Sequence, residues 1–266
     1  MQKYLQVFKI YWGRELEYRS NLVVSLILEV LKMTVALILW LAIFQSKESI
    51  AEFNLVDILA YFAVLPMVGT LTNINLCTEL GYEIRGGKVS DQLIKPFSIY
   101  LYYYAKVISE KFNQLVILLP FYVLLILIIS KFVLQANPFS LFNLIISLVF
   151  IVLAFQMSYF LELVFSWIAF WIDDAWSFEH FKSIALGVFG GLAFPLDFVS
   201  GTLRLIIEIL PFKFFYYIPI SYLIGKRPLE NLVTDLGLLS FWIVILFLIS
   251  KILWKKGIVK YEAYGH

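Results

Sequence analysis

Five stretches of this chain are each long and apolar enough to cross a lipid bilayer: Leu22–Phe44, Leu55–Cys77, Phe112–Leu134, Leu141–Ile172 and Leu232–Trp254. A hydrocarbon layer about 30 Å thick needs about 20 apolar residues in helix. No water is present there to satisfy backbone N–H and C=O groups, so each stretch must be helical. Composition agrees, with 62% hydrophobic and 15% charged residues, against about 45–50% and about 25% in soluble domains. That excludes an ordinary soluble enzyme, a disordered chain and a disulfide scaffold. The single cysteine, Cys77, has no internal partner, and the net charge of +2 gives no argument for a nucleic-acid partner. The expectation is an all-α membrane protein forming one transmembrane domain over residues 1–266.

A sixth crossing is expected at Ile184–Leu203, which carries Gly187, Gly190, Gly191 and Gly201. Gly187 and Gly191 form a small-xxx-small pair that lets another helix approach. Leu205–Ile224 is also apolar, but Pro211 and Pro219 interrupt it and Glu208 and Lys213 lie within it. Interior proline costs about 3 kcal/mol or more, so residues 204–230 are expected as two half-helices, an extracellular re-entrant hairpin before the last helix. With the N-terminus cytoplasmic, that topology puts fourteen lysines and arginines inside and six outside, against twelve and seven if the segment spans. The positive-inside rule therefore favours six spans with both termini cytoplasmic.

Residues 1–21 do not read as a cleavable signal, because no apolar run directly follows a basic start. They are amphipathic. At 100° per residue, Tyr4, Leu5, Phe8, Tyr11, Trp12 and Leu16 share a face opposite Gln2, Gln6, Lys9, Gly13 and Glu17. An interfacial helix, aromatic side toward lipid, is expected.

The longest strongly polar segment is ELGYEIRGGKVSDQLIKPFS, residues 79–98, placed in the cytoplasm by this topology. Gly86-Gly87 breaks the chain. Ser90 is placed to cap a short helix through Asp91, Gln92, Leu93 and Ile94, and Pro96 stops it. Such punctuation suits a docking knob for a cytosolic partner.

The pattern E-x-x-x-E-I-x-x-G-x-x-x-x-x-L-x-x-P over Glu79–Pro96 resembles the permeases of ABC-2-type exporters. FPLDFVSGTLRLIIEILPFKFFYYIPISYLIG, Phe194–Gly225, is similar to that family's fifth helix and extracellular hairpin, and GIVKYEAYG, Gly257–Gly265, to its cytoplasmic tail. The chain most resembles a branch of small paired permeases, some described as viologen-type exporters. The resemblance implies a permease subunit in the cytoplasmic membrane of a bacterium or archaeon. It implies a second copy or a similar permease beside it, and a cytosolic ABC ATPase beneath that binds the ATP and magnesium. Glu79, Glu83, Arg85, Lys88, Asp91 and Pro96 are carried over as the ATPase-coupling surface, with Leu93 and Ile94 as its apolar anchor. Pro195, Asp197, Pro211, Phe215, Tyr217 and Pro219 are carried over to the hairpin and outer gate.

The chain lacks the residues for chemistry of its own. Gly86-Gly87-Lys88 is followed by valine and is no P-loop. Asp173-Asp174, near Glu179 and His180, is read as solvated charge rather than a metal pair. His266 is the only other histidine, which leaves zinc chemistry without ligands. No cofactor is expected on this chain.

Ionisable groups within apolar stretches are costly and so are functional candidates. Glu29 and Lys32 are spaced to pair on the first helix. Glu162 lacks a sequence-near cation and either lines an inner vestibule or meets a basic group on another helix. Asp57 and Asp235 are expected at the interface. Asp197 either caps a broken helix or faces an exit path. The hairpin aromatics Phe212, Phe214, Phe215, Tyr216, Tyr217 and Tyr222 form either an interfacial belt or a dry outer gate. The cargo expected is amphiphilic or hydrophobic: a drug, or a lipid-like or peptide-like molecule. Two rivals are an intramembrane lipid-modifying enzyme, which needs a convergent polar site, and a secondary transporter, whose folds commonly show paired broken helices in two related halves.

Overall fold

The computed structural model describes residues 2–17, 19–96, 98–129, 140–172 and 176–261. The main helices are α1 Gln2–Glu17, α2 Arg19–Phe44, α3 Leu55–Thr72, α4 Cys77–Arg85, α5 Ser90–Leu93, α6 Ile99–Ile129, α7 Leu141–Ile168, α8 Trp176–Phe189, α9 Gly201–Ile209, α10 Tyr217–Leu223 and α11 Leu232–Lys260. A two-stranded hairpin, β1 Ser49–Ile50 and β2 Phe53–Asn54, turns the chain from α2 into α3. Asn54 and Asp57 cap α3 reciprocally, each side chain accepting the other's backbone N–H at 2.9 Å.

Among the described residues, five helical segments are long and apolar enough to cross a membrane: Leu26–Phe44, Leu55–Arg85, Ile99–Leu124, Leu141–Ile168 and Leu229–Lys260. The protein is a multi-pass membrane protein. Both ends of the described chain lie at one end of the bundle. The Lys3 ammonium reaches the Pro96 carbonyl, Tyr4 Oη accepts from Ser98 N at 3.1 Å, and Tyr261 Oη accepts from Ser90 N at 3.1 Å. From α7 the chain returns to the opposite end through α8 and an irregular segment. Lys182 meets Glu162 on α7, and Phe198 packs on Trp40 and Phe53 at 5.5 and 5.7 Å between ring centroids.

The expected continuous helix over Ile184–Leu203 is therefore corrected. Helix α8 stops at Phe189, and residues 196–198 form one 3-10 turn. The cause is Gly191, at φ +87°, where a Cβ would sit 2.5 Å from Tyr61 Oη and 2.8 Å from Tyr217 Cβ. Carbonyls released by the break are satisfied laterally: Gly190 O accepts from Tyr217 N at 3.0 Å and Gly191 O from Tyr61 Oη at 2.7 Å. Among the described residues of this chain no helix packs into Gly187: a Cβ there meets nothing within 4 Å.

Residues 201–223 form α9, a 3-10 turn opened by Pro211, and α10, so the interrupted reading holds at the level of helices. Pro219 lies in the first turn of α10, where no N–H is needed. The hairpin aromatics do not form a lipid-interface belt. All six are buried inside the protein, with Tyr222 stacked on Phe150 at 4.9 Å and Thr72 Oγ1 donating to the Phe215 carbonyl at 2.8 Å.

Helix α1 is also corrected. Its aromatic face is taken by α6 rather than turned to lipid: Phe8 and Trp12 lie 5.8 and 5.5 Å from Phe112, and Tyr11 shares a 2.8 Å hydroxyl contact with Tyr102. This contact requires α6 to begin at Ile99, well before the expected start at Phe112. The tyrosines of this extension join Val7, Leu80, Ile84, Val89 and Trp167 in a second core at this end of the bundle.

Candidate functional site

The residues carried over as a coupling surface divide into two groups. Glu79 and Glu83 lie on α4 and are tied to α6, the exposed Glu79 through the buried Lys106 ammonium and the half-buried Glu83 accepting from Tyr103 Oη at 2.6 Å. Arg85 donates to its own helix at Gly81 O, 3.3 Å, and covers the Tyr82 ring at 4.9 Å. Lys88, Asp91, Leu93, Ile94 and Pro96 face outward. Ile94 is 83% exposed and Tyr82 60%, so an apolar knob protrudes from this end of the bundle. Ser90 is not the cap of the short helix. Val89 holds that position, and the Ser90 hydroxyl lies 3.1 Å from Tyr261 Oη. Gly87, at φ +73°, makes the turn between α4 and α5.

The chain is also helical over Cys77–Arg85, ahead of the short helix expected after Ser90, because Glu162 caps it. This carboxylate, fully buried on α7, accepts from Leu76 N and Cys77 N at 2.7 Å each. Its other oxygen meets Lys182 on α8 at 2.5 Å, and Lys182 also binds Glu179 at 2.8 Å and the Ile74 carbonyl at 2.7 Å. Of the two sequence readings for Glu162, the structure selects a basic group on another helix.

Beside this cluster, α2, α3, α6 and α8 line a partly open cavity of about 740 Å³. Its lining includes Lys111, Gln114, Asn73, Asn75, Glu179 and Lys182 on the side of the α3–α4 break, and Phe62, Leu65, Leu118, Leu186, Leu192 and Tyr216 on the other. Glu29 and Lys32 pair at 2.9 Å on its rim, as their spacing predicts. Gly69 admits the Tyr216 ring, whose Cε1 would be 2.8 Å from a Cβ there.

At the opposite end an ionic network fixes the hairpin. Arg204 meets Glu208 at 2.7 Å and Asp197 at 3.6 Å. Lys213 meets Glu208 at 2.5 Å, and Arg227 meets Asp235 at 2.8 Å. Asp197 also accepts from Tyr217 Oη at 2.7 Å, so side chains of the hairpin hold this half-exposed carboxylate. Asp235 is buried rather than interfacial. Asp57 holds Lys226 at 2.6 Å. Pro195 precedes the 3-10 turn whose Leu196 carbonyl accepts from Arg204, and the Pro219 carbonyl accepts from Ser147 Oγ at 2.8 Å. Asp173, Asp174 and His266 lie outside the described residues.

Sequence reasoning counted Lys106, Lys111, Lys182, Arg204, Lys213 and Arg227 only as topology-setting charge. One signal was present: Lys182 is the sole lysine or arginine between Lys131 and Arg204, and a buried Glu162 demands a cation.

This architecture defines a polytopic helical membrane protein with an internal cavity next to a protruding apolar knob. The chain belongs to the ABC-2 transporter family: a family profile described as "ABC-2 family transporter protein" matches residues 30–265. No curated protein and no solved structure matches the chain significantly.

Proposed function

We propose that the chain is the membrane-spanning permease subunit of an ATP-driven ABC-2-type exporter, acting as one domain over residues 1–266. In this reading the chain crosses six times, the sixth through α8 and the irregular segment to Phe198. Residues 204–230 form a re-entrant hairpin at the outer end, and α1, α4, α5 and the C-terminus lie in the cytoplasm. The cavity is the translocation vestibule for an amphiphilic cargo. A cytosolic ABC ATPase, carrying ATP and magnesium, seats on the knob of Leu93, Ile94 and Tyr82, and a second permease lies alongside.

The observation that carries this reading is the Glu162–Lys182 pair. It ties the first amides of α4, which leads into the knob, to α8, which walls the cavity. Movement imposed on α4 by a partner is thereby transmitted to the cavity wall, without a catalytic group on this chain. Coexpression with the Walker-motif ATPase encoded nearest to it tests the proposal. Wild type is expected to co-purify that ATPase, and export of a fluorescent amphiphile from vesicles is expected to require ATP. Export driven by an ion gradient alone would overturn it.

A further inference from the structure

The cavity holds one charge, that of Lys111, with which no carboxylate among the described residues pairs. Lys111, on α6, donates to the Thr70 carbonyl at 2.7 Å and the Gln114 side-chain oxygen at 3.0 Å, both neutral. The other lysines of the lining have carboxylates: Lys32 has Glu29, and Lys182 has Glu162 and Glu179. Among the described residues no carboxylate pairs with Lys111. Glu162 cannot swing toward it, being fully buried with one oxygen on two amides and the other on Lys182.

Neutral oxygens satisfy hydrogen bonds but put no counter-charge in contact with the ammonium; Glu110 and Glu162 act on it only from beyond ion-pair distance, and in a partly desolvated cavity such a charge favours an incoming anion. An ammonium has three donors, of which these contacts use two. Across the floor, Glu179 Oε2 and Asn73 Oδ1 are buried acceptors with no partner among the described residues. They repel a negative head and hold it on the α6 side. Beyond Lys111 the lining turns apolar at Leu118, Phe62, Leu65 and Leu186. The cavity volume of about 740 Å³ falls within the roughly 300–1,000 Å³ of small-molecule pockets.

We propose that the cavity takes an amphiphile with an anionic head, a carboxylate or phosphate monoester, seated on Lys111, with its apolar body along Leu118, Phe62 and Leu186. This narrows the amphiphilic cargo class and rests on reading the cavity as the vestibule.

The test uses three dansyl-labelled probes with one undecyl tail, ending in carboxylate, phosphate monoester or trimethylammonium. They are titrated into the purified permease in nanodiscs of zwitterionic lipid, with empty nanodiscs subtracted. The anionic probes are expected to bind about tenfold or more tighter than the ammonium probe. Lys111→Gln is expected to remove that preference, Lys111→Arg to keep it, and Lys111→Glu to reverse it, an outcome misfolding cannot produce. Which anionic probe binds tighter separates a fatty-acid-like cargo from a lipid-phosphate one. Equal or tighter binding of the ammonium probe, or Lys111→Gln leaving the anion affinity within about twofold, would overturn the proposal. ATPase capture by the same preparations is scored separately. Its absence alongside a Lys111-dependent preference would remove the permease reading and leave the binding site standing.

Discussion

Glu162 on α7 and Lys182 on α8 form a fully buried ion pair at 2.5 Å, placed where the chain leaves α3 and starts α4. Removing one partner of such a pair leaves an uncompensated charge, which costs about 3–5 kcal/mol. Lys182→Met, which leaves Glu162 without a cation, is expected to lower the thermal midpoint of the purified protein strongly, and Glu162→Gln to lower it less, because Lys182 keeps Glu179 at 2.8 Å. The double variant is expected to lose less than the sum of the two, because it leaves no charged Glu162 facing an absent lysine. Additive losses in differential scanning fluorimetry would show that the two side chains act separately.

Gly191 and Gly187 make opposite predictions from one helix repeat. At Gly191 the left-handed backbone and the Tyr61 hydroxyl leave no room for a methyl group, whereas Gly187 faces open space. Gly191→Ala is expected to destabilise by about 1–3 kcal/mol, and Gly187→Ala to be neutral or slightly stabilising. Comparison of the two Tm values decides it.

Acid is expected to loosen the hairpin. Burial alone raises the Glu208 carboxyl, but the Lys213 hydrogen bond and the charges of Lys213, Arg227 and Arg204 outweigh burial and hold it below the usual carboxylate range. A depressed carboxylate contributes stability that is present above its unfolded pKa, about 4.3, and is lost as pH falls through its folded value. Wild type is therefore expected to lose thermal stability as pH drops below that range, and Glu208→Gln to show a shallower loss. Equal slopes would count against the network.

The coupling residues are expected to separate by the direction they face. Ile94→Asp places a charge in the exposed knob and is expected to abolish ATPase co-purification with no change in Tm. Glu83→Gln weakens the bond from Tyr103 Oη and is expected to cost about 1–2 kcal/mol of stability while capture persists. An Ile94→Asp protein that still captures the ATPase would move the docking surface elsewhere.

Topology can be read with a single added thiol, since the native Cys77 is buried. Lys88→Cys and Glu52→Cys, both exposed, are expected to react with a membrane-impermeant maleimide from opposite sides, Glu52→Cys from outside. Labelling of both from one side would contradict the six-crossing arrangement.

Much of the architecture is legible along the chain because the bilayer enforces it. Runs of about 20 apolar residues must be helical there, and Gly86-Gly87, Pro96 and Pro211 interrupt helices where their backbone chemistry requires. The start of α6 at Ile99 and the helical state of Cys77–Arg85 were not legible. Both depend on groups distant in sequence, the aromatic face of α1 and the carboxylate of Glu162.

The sequence by itself determined that this is an all-helical membrane protein with a polar segment after the second apolar stretch and a broken segment before the last helix. Hydropathy and backbone stereochemistry are local properties, so they can be read residue by residue. Only the tertiary structure decided which charges meet: Glu162 with Lys182, Glu79 with Lys106, Asp235 with Arg227, and Lys111 with no carboxylate among the described residues. A buried charge must find its partner in space rather than along the chain, and helix packing sets which side chains come within reach.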